Sequence, residues 1–162
     1  MQSTRLSSDR RGFSLIELLV SIAVLAIIMG TAISTLNPSA RALDNAGREL
    51  AANLRLARTK AVATGYHYQV TVSSTSYDVN RLVLNAGNWV VDGGTPTRTI
   101  VLPTSVTVPS VPAGPYQFDS RGNCVGTTAP CLSAASTITL HHGGQNRDLP
   151  VTVWPSGQVN EL

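Results

Sequence analysis

A chain of 162 residues has room for one membrane span and one soluble domain of modest size. Its 12 basic and 9 acidic residues give a formal charge of +3, but residues 1–12 hold Arg5, Arg10, Arg11 and Asp9, so the remainder carries 9 and 8, a balance of +1. That near-neutrality excludes an electrostatic case for nucleic acid across the bulk of the chain, and a charged fraction of 13% with abundant Thr, Ser, Val and Gly suits a β-rich exported domain.

Residues 1–12 are polar and charged. From Phe13 to Leu36 there follow 24 residues in which Glu17 is the only charged side chain. At 1.5 Å per residue a helix of that length is roughly 36 Å long, enough to cross a hydrocarbon core of about 30 Å. The arginines ahead of the run predict that the leader stays in the cytoplasm and that everything after Leu36 is exported. Glu17 is the odd residue. A carboxylate inside a span costs about 2.5 kcal/mol or more, so it needs a partner or a task. No Lys or Arg occurs between Gly12 and Arg41. A cut between Gly12 and Phe13 supplies a partner, because Phe13 then carries a free ammonium one helical turn from Glu17. The helix N-terminus also favours a nearby anion. A secretory signal peptide has a shorter apolar region and a cleavage site after it. An ordinary anchor explains the span and the arginines but not Glu17.

The run Arg11-Gly12-Phe13-Ser14-Leu15-Ile16-Glu17-Leu18-Leu19 resembles the type III signal of type IV pilins and type II secretion pseudopilins. The resemblance implies that a membrane prepilin peptidase cuts after Gly12 and N-methylates Phe13. It implies that Glu17 pairs with the Phe13 amine of a neighbouring subunit as the helix leaves the bilayer and joins a filament. Relatives of this kind carry a helix-loosening Pro near position 34, where this chain has Ser34. Here Asn37-Pro38 interrupts the run instead, so whether the helix continues through 30–38 stays open.

From about Ser39 to Thr64 a second helix is predicted. Leu43, Ala46, Leu50, Leu54, Ala57 and Ala61 recur at spacings of three and four and form one apolar stripe, a core face. Arg41, Arg48, Arg55, Arg58 and Lys60 lie along the same helix and read as a solvated or interfacial face. Gly65 is placed to stop it. The period then changes to two. Strands are expected at 66–72, 77–84, 89–91, 98–102, 106–108, 116–119, 137–142 and 148–154, with a short last one at 158–159. Gly- and Pro-bearing turns separate them. One helix followed by strands at roughly ten-residue spacing gives α+β, with antiparallel sheet packed on the helix.

This second stretch resembles the GspH/FimT group of minor pilins: Glu49-Leu50 to Leu54, Leu56-Ala57-Arg58 with Ala61 and Gly65, Phe118-Asp119-Ser120-Arg121-Gly122, and Val151-Thr152-Val153-Trp154-Pro155-Ser156-Gly157-Gln158-Val159. These are packing and turn residues, which specify a fold more than an activity.

Constellations that carry chemistry are weak. His141 and His142 are adjacent and face opposite sides of a strand, and with His67 they make no convincing metal site. They read as surface or half-buried histidines. No nucleophile elbow or phosphate loop occurs. Neither a catalytic residue, a cofactor nor a metal is expected, and the chain reads as no enzyme. Cys124 and Cys131 lie close together in the exported half, where a disulfide is expected; closing so short a loop contributes about 2–3 kcal/mol on the chain-entropy account. Trp89 and Trp154 read as core or interface aromatics, with core favoured.

The expected architecture is the type IV pilin-like α+β fold. Residues 1–12 form a cytoplasmic leader, 13–36 a transmembrane and filament-core helix, and 37–162 a periplasmic head. The function this implies is a minor, initiating subunit of a type II secretion pseudopilus or type IV pilus. The subunit first sits single-pass in the inner membrane and then in a periplasmic or surface filament. Expected partners are other pilin or pseudopilin subunits, the prepilin peptidase and the inner-membrane assembly platform. The alternative is a DNA-binding minor pilin used in uptake. It is disfavoured because the chain ends Val159-Asn160-Glu161-Leu162 without the clustered cations that phosphates require.

Overall fold

The computed structural model describes residues 14–34, 38–125, 131 and 134–161, with side chains at 14–28 and from residue 41 onward. The chain divides into two compact units between Asn37 and Pro38. In the first unit, α1 (Leu15–Ser34) is apolar almost throughout. Ser14 begins it by offering its carbonyl to the amides of Glu17 at 3.0 Å and Leu18 at 3.2 Å. The described side chains of α1 are exposed on every face, Leu15 at 83% and Ile27 at 68%. A surface helix of a globular protein keeps a polar stripe for water; α1 has none. The question of helix continuity falls on residues 35–37, outside the described residues.

The second unit is organised on α2 (Pro38–Thr64). Pro38 opens this helix rather than preceding it. A proline costs nothing in hydrogen bonding at the first position, where its missing amide would be unpaired anyway. The helix stops where expected: Gly65 has φ +74° and its amide donates to Ala61 O at 3.0 Å. All six residues of the predicted stripe, Leu43 to Ala61, are 3% exposed or less. Ala51 and Asn53 join that buried face.

Two antiparallel sheets pack on this helix. The first contains β1 (His67–Val72), β2 (Ser76–Asn85), β3 (Asn88–Val91), β4 (Arg98–Val101), β6 (Tyr116–Phe118) and β7 (Cys124–Val125). Its order is β3-β2-β1-β6-β7, and β4 pairs with β2 beside β3. The second contains β5 (Val106–Thr107), β8 (Ser136–His142), β9 (Arg147–Val153) and β10 (Val159–Glu161), in the order β10-β9-β8-β5. The helix touches β1 and β6 of the first sheet and β5, β8, β9 and β10 of the second. Alternation sets the faces. Val70, Val72, Tyr77, Tyr116 and Phe118 point from the first sheet into the core, and Ile138, Leu140, Val151 and Val153 from the second. Gly47 lets the second sheet come close, because a Cβ there would overlap the Leu149 side chain.

Three expectations are corrected. Trp89 and Trp154 are not core: they are 38% and 45% exposed. Trp89 stands on an edge strand whose four residues are all exposed, and Trp154 follows the last residue of β9 at a turn. His142 is neither surface nor half-buried. It is 3% exposed and shares the inward face of β8 with Ile138 and Leu140. Finally, the segment opening at Cys124 is not all loop, because Cys124–Val125 pair with β6.

Candidate functional site

At the head of α1, Gly12 and Phe13 lie outside the described residues. Glu17 is in the first turn and exposed. It is the only charged residue of α1. Its carbonyl accepts the Ser21 hydroxyl at 2.7 Å. Among the described residues no helix is long and apolar enough to cross a membrane; in α1 the described side chains end at Ile28. Among the described residues, what α1 offers chemically is therefore a single carboxylate, at a helix N-terminus whose free amides favour anions, on an otherwise apolar rod.

In the second unit, two arginines read from sequence as a solvated or interfacial face are instead fastened to backbone carbonyls. Arg55 donates from Nε and Nη2 to Val159 O at 3.3 and 3.0 Å. Arg58 donates from Nε to Gly122 O at 2.8 Å and from Nη2 to Ser156 O at 3.2 Å. Arg58 thus ties the β6–β7 turn to the β9–β10 turn. The two turns also meet directly, since Cys124 N donates to Pro155 O at 2.9 Å. Gly157 has φ +75°, and a Cβ there would collide with Gly122 O. Arg147 adds a further tie, from β9 to Asp44 of α2 at 2.9 Å. Of the residues that carried the second resemblance, Arg58, Gly122, Pro155, Ser156 and Gly157 meet at this seam.

Cys124 and Cys131 form a disulfide with Cα atoms 5.3 Å apart. Cys124 belongs to β7 at that seam, so the bridge ties Cys131 to it.

A cleft of about 560 Å³ opens between the β2–β3 turn and the β6–β7 turn, over the start of β1. His67 and Trp89 stack there with ring centroids 3.6 Å apart and planes 12° apart. The Gln117 amide Nε2 donates to His67 Nδ1 at 2.8 Å. Burial pushes the His67 imidazole below its usual pKa, with the Asp119 carboxylate opposing. Beneath the stack, Leu82 is 2% exposed although it lies outside the main core; it pairs across strands with His67 and with Val91. Sequence reasoning treated His67 as a metal question and Trp89 as core. The signal it passed over was their shared outward register on β1 and β3.

Elsewhere, His141 Nδ1 lies 2.6 Å from Asp148 Oδ1, directly across the strand pair, while His142 Nδ1 accepts the Gln145 amide at 3.1 Å. Adjacent strand residues face opposite sides, so the two imidazoles do not meet. Among the described residues no group of three or more His, Cys, Asp or Glu is placed to hold a metal ion.

A family model of the prokaryotic N-terminal methylation motif matches residues 7–33. A second, of type II transport protein GspH, matches residues 46–157. The pilin-like protein PilA1 of Thermus thermophilus is 42% identical over 53 residues, 33% of this chain and 34% of its own. The match thus spans about a third of that relative's length. The minor pseudopilin EpsH from the type 2 secretion system of Vibrio cholerae superposes with a TM-score of 0.51 at 17% identity, over 74% of this chain and 95% of its own. The type IV minor pilin FimU of Pseudomonas aeruginosa superposes with a TM-score of 0.54 at 15% identity, over 74% of this chain and 87% of its own. At such identities these structures share the fold.

Proposed function

Because this chain belongs to the GspH family of type II transport proteins, we propose that it is a minor, initiating subunit of a type II secretion pseudopilus or a type IV pilus. In this reading the prepilin peptidase removes residues 1–12 and methylates the new amine of Phe13. The segment that begins at Phe13 first anchors in the inner membrane, with the leader in the cytoplasm and the head in the periplasm. The assembly platform then moves it into the filament core, among other pilin or pseudopilin subunits.

The observation that carries the reading is α1 itself: an apolar helix exposed on every described face, with one acid in its first turn. Such a surface needs a bilayer or neighbouring helices, at about 25 cal/mol per Å² removed from water. Glu17 supplies direction. In a low-dielectric core its carboxylate is tolerable when paired, and breaking a buried pair costs about 3–5 kcal/mol. The Phe13 amine of the next subunit is the partner that fixes the axial stagger.

The DNA-uptake reading gains little support. Arg55 and Arg58, two of the five cations along α2, already serve backbone carbonyls.

Mass spectrometry of protein recovered from cells tests the maturation step: the expected N-terminus is methylated Phe13. Glu17→Ala is expected to leave cleavage intact and abolish incorporation into filaments. A chain that still begins at Met1, or wild-type incorporation by Glu17→Ala, overturns the reading.

A further inference from the structure

The cleft between the β2–β3 and β6–β7 turns is lined by residues that assembly through α1 does not use. We propose that it binds a neutral saccharide of one or two pyranose rings, with Trp89 as the stacking platform.

Size comes first. A volume of about 560 Å³ falls within the range of roughly 300–1,000 Å³ of small-molecule sites, and is too small for a folded partner element. Chemistry narrows the ligand. The polar residues lining the cleft are His67, Asn88, Gln117, Asp119 and Ser120, beside Trp89. Among the described residues no Lys or Arg lines it, so a phosphate or carboxylate finds no counter-charge there. That argues against nucleotides as well as acidic peptides. What remains is one carboxylate, two amides, one hydroxyl and one imidazole, a mixed donor and acceptor set suited to adjacent hydroxyl groups. A pyranose ring matches the rest: its C–H face is weakly positive and suits the negative face of an aromatic ring, here the face of the indole opposite the one that His67 covers.

The site is also held in place before any ligand arrives. Gln117 donates to His67 Nδ1, so the neutral imidazole carries its proton on Nε2. The imidazole in turn stacks on the indole and fixes its tilt, while Trp89 stays 38% exposed. Asp119 Oδ1 accepts the amides of Arg121 at 2.9 Å and Asn123 at 2.8 Å, which locks the carboxylate. A carboxylate has about four lone-pair sites, so acceptor capacity is left for a ligand hydroxyl. Groups fixed in this way lose little freedom on binding, which favours affinity.

The test uses the full chain in a sugar-free zwitterionic detergent, with Trp154→Phe as background so that fluorescence reports Trp89. Maltose and N,N′-diacetylchitobiose are the probes. A saturable change with at least one of them is expected, with a Kd on the order of 1 mM or tighter. Trp89→Ala and Gln117→Leu, followed by calorimetry, are expected to weaken binding about tenfold or more. Trp89→Phe keeps an aromatic face and should retain most of it, which separates loss of the platform from loss of fold. No saturable response to either sugar at about 10 mM, unchanged affinity in Trp89→Ala, or displacement of the sugar by a mononucleotide or a neutral tripeptide overturns the proposal. Filament assembly does not enter any of these readouts, so the result stands apart from the assembly reading.

Discussion

Tyr77 and Asn53 show how a single polar pair is accommodated inside the head. Tyr77 is 1% exposed and Asn53 6% exposed, and the Asn53 amide donates to the Tyr77 oxygen at 2.8 Å and to Glu49 O at 3.0 Å. Burial pushes the Tyr77 hydroxyl up to about 12, so it stays protonated at any physiological pH. Tyr77→Phe leaves one amide hydrogen of Asn53 buried without its acceptor. Such a loss costs about 1–3 kcal/mol. The expected result is a midpoint shift of that size in urea unfolding at unchanged slope. Adding Asn53→Leu should recover part of it, since removing both partners is nearly neutral. Asn53 was legible in principle: it sits three residues after Leu50 and four before Ala57, on the apolar stripe. Its partner was not, because nothing in a sequence says which strand a helix side chain will meet. His142 escaped for a related reason. Alternation puts it on the same face as Ile138 and Leu140, but which face of β8 turns inward depends on a sheet assembled from distant segments.

Among the elements, α2 is the hub and the seam at Arg58 is one place where the two sheets are fastened to each other. The positions of strands were readable because period-two alternation and glycine-rich turns are local signals. Their division into two sheets was not, because β1 pairs with β6 and β5 with β8 across long stretches of chain. A strand as short as β7 gives no alternation to read at all. Arg58, Gly122 and Gly157 were recognised as packing and turn residues, and the structure supplies the physics. Gly157 needs a positive φ and has no room for a Cβ beside Gly122 O. An alanine there meets a left-handed backbone penalty of about 1–2 kcal/mol and overpacking of about 1–3 kcal/mol. Gly157→Ala should therefore lower head stability by about 2–5 kcal/mol. Arg58→Ala deletes charged donors to two carbonyls and should cost about 2 kcal/mol. Since both act on one contact, the double variant should lose clearly less than the sum. Full additivity in thermal unfolding would mean that the two turns are held independently.

For the whole molecule, the decisive contrast is between a head with an apolar core and an α1 whose described side chains are all exposed. Every residue of the head's apolar cluster lies between Leu43 and Val159. Ten large apolar side chains of α1, from Leu15 to Ile28, are at least 48% exposed. That asymmetry was the most legible feature of the sequence, because a long apolar run with one acid needs no tertiary context to be seen. Its consequence is testable by dividing the chain. Fully burying such side chains is worth about 1.5–3 kcal/mol each, so ten of them represent on the order of 10 kcal/mol waiting for a nonaqueous neighbour. Removing residues 1–37 should accordingly leave a monomeric protein whose thermal midpoint matches that of the full chain in detergent within about 3 °C, while the full chain without detergent self-associates. A truncated head that melts more than about 10 °C lower would mean that residues 1–37 contribute to the folded core. A full chain that stays monomeric in plain buffer would mean that α1 finds its cover within the same molecule, and the case for a helix that must be shared between subunits would fall with it.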